Sequence, residues 1–335
     1  MAFAADTPRR DMDGMTMLPG FVNTHAHTHT LSDADLAAWA RAGVTTVRDL
    51  QGPRDAMLAR AAALRATNDP TLPRLLVAGP MITVPGGHPV PVYGLSDQIL
   101  AVRGPDDARA QASALLDAGA DVLKIAVSGR TDVNWPELSD AEIQAITGVA
   151  RARGVRVAAH VDRAAGLARA VANGITDAAH MPRDRMPDEL IAQMAARGVA
   201  MSPTIAVYEA LAAERGNLGE WRRTVLPVMY DNLRRFVAAG GQLTLGDDYG
   251  NPGIALGMPM AELRHWIAAG LGPMQAIVAS TSAAAAACGL SSQIGTLRPG
   301  MAADLFAVAG DPLADIGALE QVRLVLHNGA VVREE

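Results

Sequence analysis

The run Leu18-Pro-Gly-Phe-Val-Asn-Thr-His-Ala-His27 decides how the chain is read. A Pro-Gly turn leads into an apolar segment that finishes in two histidines one residue apart. In an extended strand, residues i and i+2 share a face, so His25 and His27 project together from the strand's end. Imidazole is the commonest protein metal ligand, and two on one rigid strand are partly preorganised for chelation. Histidine pairs also arise by chance on surfaces, so the pair gains weight only from matching residues elsewhere in the chain.

From Gly20 onward a regular alternation begins. Short β-branched runs occupy 21–27, 44–49, 75–82, 121–127, 155–161, 174–180, 199–204 and 242–248. Between them lie Ala/Leu/Arg-rich segments of helical spacing, such as Asp33 to Ala42, Asp106 to Ala118, Asp140 to Arg153 and Arg163 to Ala172. Several close on a glycine (Gly43, Gly119, Gly154, Gly174, Gly198), a common helix stop. Eight strand–helix units over roughly 250 residues give the pattern of a (β/α)8 TIM barrel. A doubly wound open sheet is the rival, disfavoured by the unit count and by the lack of Gly-x-Gly-x-x-Gly after the first strand. Beyond a helix of about Pro273 to Cys288 the style changes to strands and turns, 294–308 and 322–332, with an Asn328-Gly329 hairpin signal. The expected organisation is a barrel over 19–289. Residues 1–18, holding at most one ragged strand, join 290–335 in a small, N-terminally truncated β-domain built mainly from the tail.

Composition narrows the class. Half of the 335 residues are hydrophobic and only 4% aromatic, which favours aliphatic helix–sheet packing. The net charge of −6, with scattered arginines, carries no basic stripe, so nucleic acid is not an expected partner. The single cysteine, Cys288, excludes an intrachain disulfide and fits a reducing compartment. No secretory signal or apolar run of membrane-spanning length is apparent. The expectation is a cytoplasmic protein with a small-molecule substrate. Of 29 basic residues, 28 are arginine, and Lys124 is the one lysine. Arginine replaces lysine on most solvated surfaces, but not where a compact amine must lose its proton.

Barrel enzymes place their chemistry at the C-terminal ends of the strands. Those ends carry His25 and His27 on strand 1, Lys124 on strand 4, His160 on strand 5, His180 on strand 6 and Asp247-Asp248 on strand 8. A strand-end histidine is commonly a satisfied core residue, and Asp before Tyr-Gly is commonly a turn residue. All of those readings would have to hold at once.

Taken together, these stretches resemble the amidohydrolase superfamily, in particular binuclear members similar to imidazolonepropionases and prolidase-like dipeptidases. The matching segments are 18–27, Gly43-Val-Thr-Thr-Val-Arg-Asp49, Gly119-Ala-Asp-Val-Leu-Lys-Ile125, Val157-Ala-Ala-His160, His180, Ser202-Pro-Thr204, Leu245-Gly-Asp-Asp248 and the tail 295–305. The resemblance implies two divalent ions per chain, expected to be Zn2+. His25, His27 and Asp248 would hold one, His160 and His180 the other, and Lys124, carboxylated by CO2, would bridge them. It further implies a metal-bound hydroxide that attacks a carbonyl, with Asp248 as the catalytic proton carrier.

The family pattern at strand 8 is Gly-Thr-Asp, which puts Asp247 in the threonine's place. Asp247 then either orients a histidine or caps a turn. The same resemblance offers His88, in a Gly-Gly-His-Pro loop, and Tyr208 as substrate contacts. Arg130 is a weaker candidate for a substrate carboxylate, His29 an outer partner or an exposed residue, and His265 and His327 structural.

The bond cleaved is expected to be a C–N bond of amide, lactam or peptide type, or a related ester or lactone. Phosphotriesterase-like and lactonase-like hydrolysis, a non-hydrolytic relative and a non-catalytic relative are the alternatives. The truncated β-domain leaves a sheet edge, for which a homo-oligomer is the expected cover.

Overall fold

The computed structural model describes residues 11–12, 14–127 and 135–335. In chain order the strands are β1 (Thr16–Pro19), β2 (Phe21–Ala26), β3 (Val44–Asp49), β4 (Arg74–Val77), β5 (Met81–Thr83), β6 (Ile99–Ala101), β7 (Val122–Ala126), β8 (Arg156–His160), β9 (Asp177–Ala178), β10 (Ala200–Met201), β11 (Gln242–Leu243), β12 (Leu305–Val308), β13 (Val322–His327) and β14 (Ala330–Glu334). The helices are α1 (Asp33–Arg41), α2 (Arg54–Thr67), α3 (Val90–Tyr93), α4 (Pro105–Asp117), α5 (Asp140–Ala152), α6 (Ala164–Ala172), α7 (Asp188–Arg197), α8 (Ile205–Glu214), α9 (Leu218–Thr224), α10 (Leu226–Ala238), α11 (Met260–Ala268), α12 (Pro273–Ser280) and α13 (Ser282–Ala287).

Two parallel sheets, β2-β3-β4 and β11-β10-β9-β8-β7-β5-β6, hold the central strands almost in sequence order. Backbone hydrogen bonds run between them. Asp121 N donates to Val77 O (2.8 Å), Thr24 N to Leu245 O (2.7 Å), and His27 N to Tyr249 O (2.7 Å). The arrangement is TIM-barrel-like. Every residue of β2, β3 and β7 is buried, as expected where helices and interior side chains cover both faces of parallel strands. Local chemistry sets the helix starts. Ser32 with Asp35, and Ser139 with Glu142, form capping boxes before α1 and α5.

A four-stranded antiparallel sheet, β1-β12-β13-β14, sits beside this core. Its joint is Phe306, whose ring meets Phe21 edge-on at 5.1 Å. Gly43, in the left-handed region at φ 91°, makes room for it, since a Cβ there would lie 2.8 Å from Phe306 Cγ. Asp304 ties the same junction: its carboxylate accepts from Arg74 Nη1 (3.0 Å) and Asn328 N (2.7 Å), and its carbonyl from Gly20 N (2.8 Å).

Three features differ from the sequence reading. The helix expected over Pro273 to Cys288 is two, parted at Thr281, whose hydroxyl bonds Ile277 O at 2.7 Å. Such back-bonding competes with the helical ladder. Helices α8 to α10 fill 205–238, a stretch given no element from sequence. The apolar residues of α8 run around most of its circumference, so it lacks a one-sided stripe. The N-terminal segment contributes a well-paired strand, with Thr16 to Pro19 opposite Val308 to Leu305, which crosses the expected boundary at residue 18.

Phe306→Ala should therefore cost about 3–5 kcal/mol, the usual range for emptying a buried aromatic site. Urea denaturation measures it, and a loss below about 1 kcal/mol would show that the small sheet is held elsewhere.

Candidate active site

β2 carries His25 and His27 to one end of the central sheets, and the segment after β11 brings Asp247 and Asp248 beside them. Two glycines permit the close approach. A Cβ on Gly246 would stand 2.7 Å from His25 Cβ, and one on Gly250 2.8 Å from His27 Cβ. Asp248 N donates to His25 O (2.9 Å), and Asp248 adopts φ 58°, a left-handed conformation uncommon outside glycine. That backbone turns its carboxylate inward. Asp248 Oδ1 lies 3.1 Å from His25 Nε2 and 2.8 Å from His27 Nε2.

Lys124, on β7, is 1% exposed, and its Nζ lies 3.3 Å from His25 Nε2. Its pKa is lowered to about 7, chiefly by burial, with buried Arg48 adding to the fall and Asp248 opposing it. His180 stands 4.8 Å from His25 and 4.6 Å from His160, ring centre to ring centre. The structure thus gathers every sequence-predicted ligand, His25, His27, Lys124, His160, His180 and Asp248, around one cavity of about 630 Å³. His88 and Tyr208 line it as well. His88 stacks on His160 at 3.9 Å, and Tyr208 lies 5.7 Å from His180. Arg130 lies outside the described residues.

Burial dominates the electrostatics. It pushes His25 down to about 3, with Lys124 adding to the effect, and holds His180 and His88 well below the usual imidazole range. His27 goes the other way. Burial opposes its charge, but the hydrogen bond and charge of Asp248 outweigh that and raise its pKa. Burial likewise works against the Asp248 carboxylate, yet His25 and His27 hold it well below the ordinary range.

The residues fit a divalent metal centre. His27 Nδ1 faces Gln51 O at 3.3 Å and His180 Nδ1 faces Thr204 Oγ1 at 2.7 Å. With the proton on Nδ1 in each, the Nε2 lone pairs turn inward. At His27 that nitrogen faces the Asp248 carboxylate at 2.8 Å, a contact that needs a proton or a metal ion between the two. The donor atoms of His25, His180 and Asp248 lie within 4.8 Å of one another. His160 Nε2 is buried with no hydrogen-bond partner among the described residues. Imidazole and carboxylate are the donor set of zinc and similar ions.

Asp247 faces away from this cluster. Its Oδ1 accepts from Asn23 Nδ2 (2.8 Å) and Tyr249 N (3.2 Å), and burial pushes its pKa up to about 7. Asn23 Oδ1 in turn accepts from His25 N at 3.2 Å, so Asp247 braces the strand that carries the first histidine pair.

Several contributors were not singled out from sequence. Asp162 accepts from Tyr208 Oη (3.0 Å), with its other oxygen 3.8 Å from His160 Nε2. The His160-x-Asp162 spacing was the available signal, because it puts both on one side of an extended segment. Beneath the site, Arg48 donates to Thr24 O (2.8 Å) and to Asp177 (3.1 Å), which also accepts from Arg156 (2.7 Å). Thr204 holds its hydroxyl on His180 from φ 51°, a strained setting for a β-branched residue. His29 meets Gln98 Nε2 at 3.2 Å on the cavity wall. His265 bonds Tyr230 and His327 bonds Pro70 O, both away from the cavity.

Thr204→Val keeps the side chain's shape and removes the hydroxyl on His180. Metal affinity should fall about 10- to 100-fold, the usual effect of losing a ligand's outer partner. Competition with a chromogenic chelator reads this, and unchanged affinity would remove His180 from the metal set.

The amidohydrolase family model matches residues 16–332. The chain is 28% identical over 341 residues to an imidazolonepropionase of Symbiobacterium thermophilum, covering 90% of this chain and 76% of that one. It is 26% identical over 320 residues to an ochratoxinase of Aspergillus niger, covering 85% of this chain and spanning 64% of the ochratoxinase's length. A Xaa-Pro dipeptidase solved with methionine bound in the active site superimposes with a TM-score of 0.83 at 25% identity, over 95% of this chain and 86% of that one. A prolidase complexed with N-methylphosphonate-L-proline gives a TM-score of 0.79 at 25% identity, over 96% and 88%.

Proposed function

The chain belongs to the amidohydrolase family, and from that premise we propose a binuclear metal-dependent hydrolase that cleaves a C–N bond of amide, lactam or peptide type. In this reading the barrel carries the chemistry, and β1 with the tail strands β12 to β14 forms its small β-domain. One observation supports this reading above the others. A buried carboxylate oxygen meets two imidazole nitrogens within 3.1 Å, and the chain's one lysine lies buried against the same histidine.

In this reading His25, His27 and Asp248 would hold one ion and His160 and His180 the second, and Lys124, carboxylated by CO2, would be their shared ligand. Burial favours the neutral amine of Lys124, the form that takes up CO2, and arginine cannot replace it. Bound ions of this kind supply a water of lowered pKa and polarise the substrate carbonyl. The protein's own residues do the rest. Asp248, kept ionised by the two histidines, takes the proton released as the C–O bond forms. It delivers that proton to the nitrogen as the C–N bond breaks. Tyr208, braced by Asp162, and His88, stacked on His160, form the wall against which the substrate is oriented.

Elemental analysis of protein grown with added metal and bicarbonate should give two divalent ions per chain, zinc foremost, and one or fewer would contradict the binuclear reading. The substrate class is read from a panel of N-acyl amino acids, dipeptides, aryl esters, lactones and phosphotriesters. Exclusive action on phosphotriesters would overturn the C–N assignment. Lys124→Arg should lose the second ion and about a thousandfold or more in rate, several kcal/mol of barrier. Lys124→Ala should be equally inactive but partly restored by a short carboxylic acid. Tolerance of arginine, with no rescue, would make Lys124 structural. The outer edge of β14 carries the further expectation of a homo-oligomer, which light scattering tests; a monomer at high concentration counts against it.

A further inference from the structure

Helix α8 starts inside the protein: Ile205, Ala206 and Val207, its first three residues, are all buried. The opening N–H groups of a helix have no partner within it, and here water does not reach them. A threonine just before a helix ordinarily meets that need, its hydroxyl accepting from the first turn. Thr204 stands at that position and makes no such bond. It sits at φ 51°, ψ 42°, and its hydroxyl meets His180 Nδ1 at 2.7 Å instead. The missing acceptor comes from another helix. Glu262, in the first turn of α11, takes the Ala206 N–H on Oε2 at 2.8 Å, and its Oε1 accepts from Trp266 Nε1 at 2.8 Å.

Glu262 is 0% exposed. Burial pushes its carboxyl up to about 7, although the hydrogen bonds from Ala206, Trp266 and Ile205 oppose the rise. A buried acid is costly to keep, and a site filled for packing alone favours an apolar side chain. The return for that cost lies one residue further on. With its helix capped from α11, Thr204 is free to face β9, and the same turn is tied there by Met181 N donating to Pro203 O at 3.0 Å. We propose that Glu262 is a positioning residue for the metal centre, which caps α8 in place of Thr204 and so holds the Thr204 hydroxyl on His180. This rests on the reading of His180 as a metal ligand. It adds a residue that touches neither the cavity's histidines nor any ion they would hold. Without Glu262, the threonine hydroxyl is drawn back to its own helix and His180 loses the partner that fixes its ring.

The test uses the full chain, with zinc affinity read by competition with a chromogenic chelator. Glu262→Met, of similar volume but without acceptors, should weaken zinc about tenfold, the lower end of the effect of losing a ligand's outer partner. Glu262→Gln keeps one acceptor and should recover part of that loss. Trp266→Phe removes only the bond to Oε1 and should leave the affinity as it was. Thr204→Val combined with Glu262→Met should bind no more weakly than Thr204→Val alone, because both act along one path. Thermal melts separate folding from positioning: a lower melting temperature with unchanged affinity in both Glu262 variants would make the residue structural and overturn the inference. Additive losses in the double variant would overturn it too.

A second readout needs no metal. In 15N NMR of the metal-free protein, the His180 ring should hold its proton on Nδ1, and in Glu262→Gln it should average between the two nitrogens. That change in a protein that binds no zinc would keep this inference and sink the metal reading. An unchanged His180 ring in Glu262→Gln would overturn the inference alone.

Discussion

A carboxylate oxygen held about 3 Å from two imidazole nitrogens is the contact on which the rest of this site depends. An imidazole nitrogen and a carboxylate stay this close with a proton or a metal ion between them, and burial removes the water that would otherwise screen their charges. The fold enforces the contact from several directions. Gly246 and Gly250 let the segment after β11 press against β2, and the left-handed backbone of Asp248 aims its side chain inward. Thr204 holds His180 from an equally uncommon conformation. Conformational strain concentrated on residues that converge on one point is what a preorganised binding centre requires. A core evolved only for stability would have no reason to bear it.

The charges below the site extend the same logic. Arg48 is buried with Asp177 and Arg156 in a hydrogen-bonded group beneath the histidine layer. Burial, with the Arg48 charge adding to it against Asp248, lowers the pKa of Lys124 to about 7, so that the amine loses its proton near neutrality. The lysine has no carboxylate within ion-pair distance among the described residues. A lysine kept only for structure would be poorly served by such surroundings, whereas one destined to react as a free amine is well served.

Much of this was legible in the sequence because the relevant spacings are short. The i, i+2 rule placed His25 with His27, and strand ends followed by glycine-terminated helices located Lys124, His160, His180 and Asp248. The side-by-side strand order agrees with the alternation of short β-branched runs. What sequence could not supply were relations across the chain that depend on exact backbone paths. The bracing of Asp247 through Asn23 and the bond from Thr204 to His180 both join residues far apart in the chain. The same holds for α8 to α10. Local pattern fails there because an apolar helix packed on several sides shows no stripe, and the break at Thr281 depends on a hydroxyl bond rather than on a helix-breaking residue.

The conversion of Lys124 into an anionic bridge between two ions is the central claim, and isotope labelling reads it without reference to any substrate. Metal-depleted protein is reconstituted with zinc in 13C-bicarbonate and examined by 13C NMR. One carbamate resonance per chain is predicted, which appears only when metal is added and is missing from Lys124→Ala. A protein that takes up two ions per chain yet shows no such resonance would contradict the claim, and so would a resonance that survives the substitution.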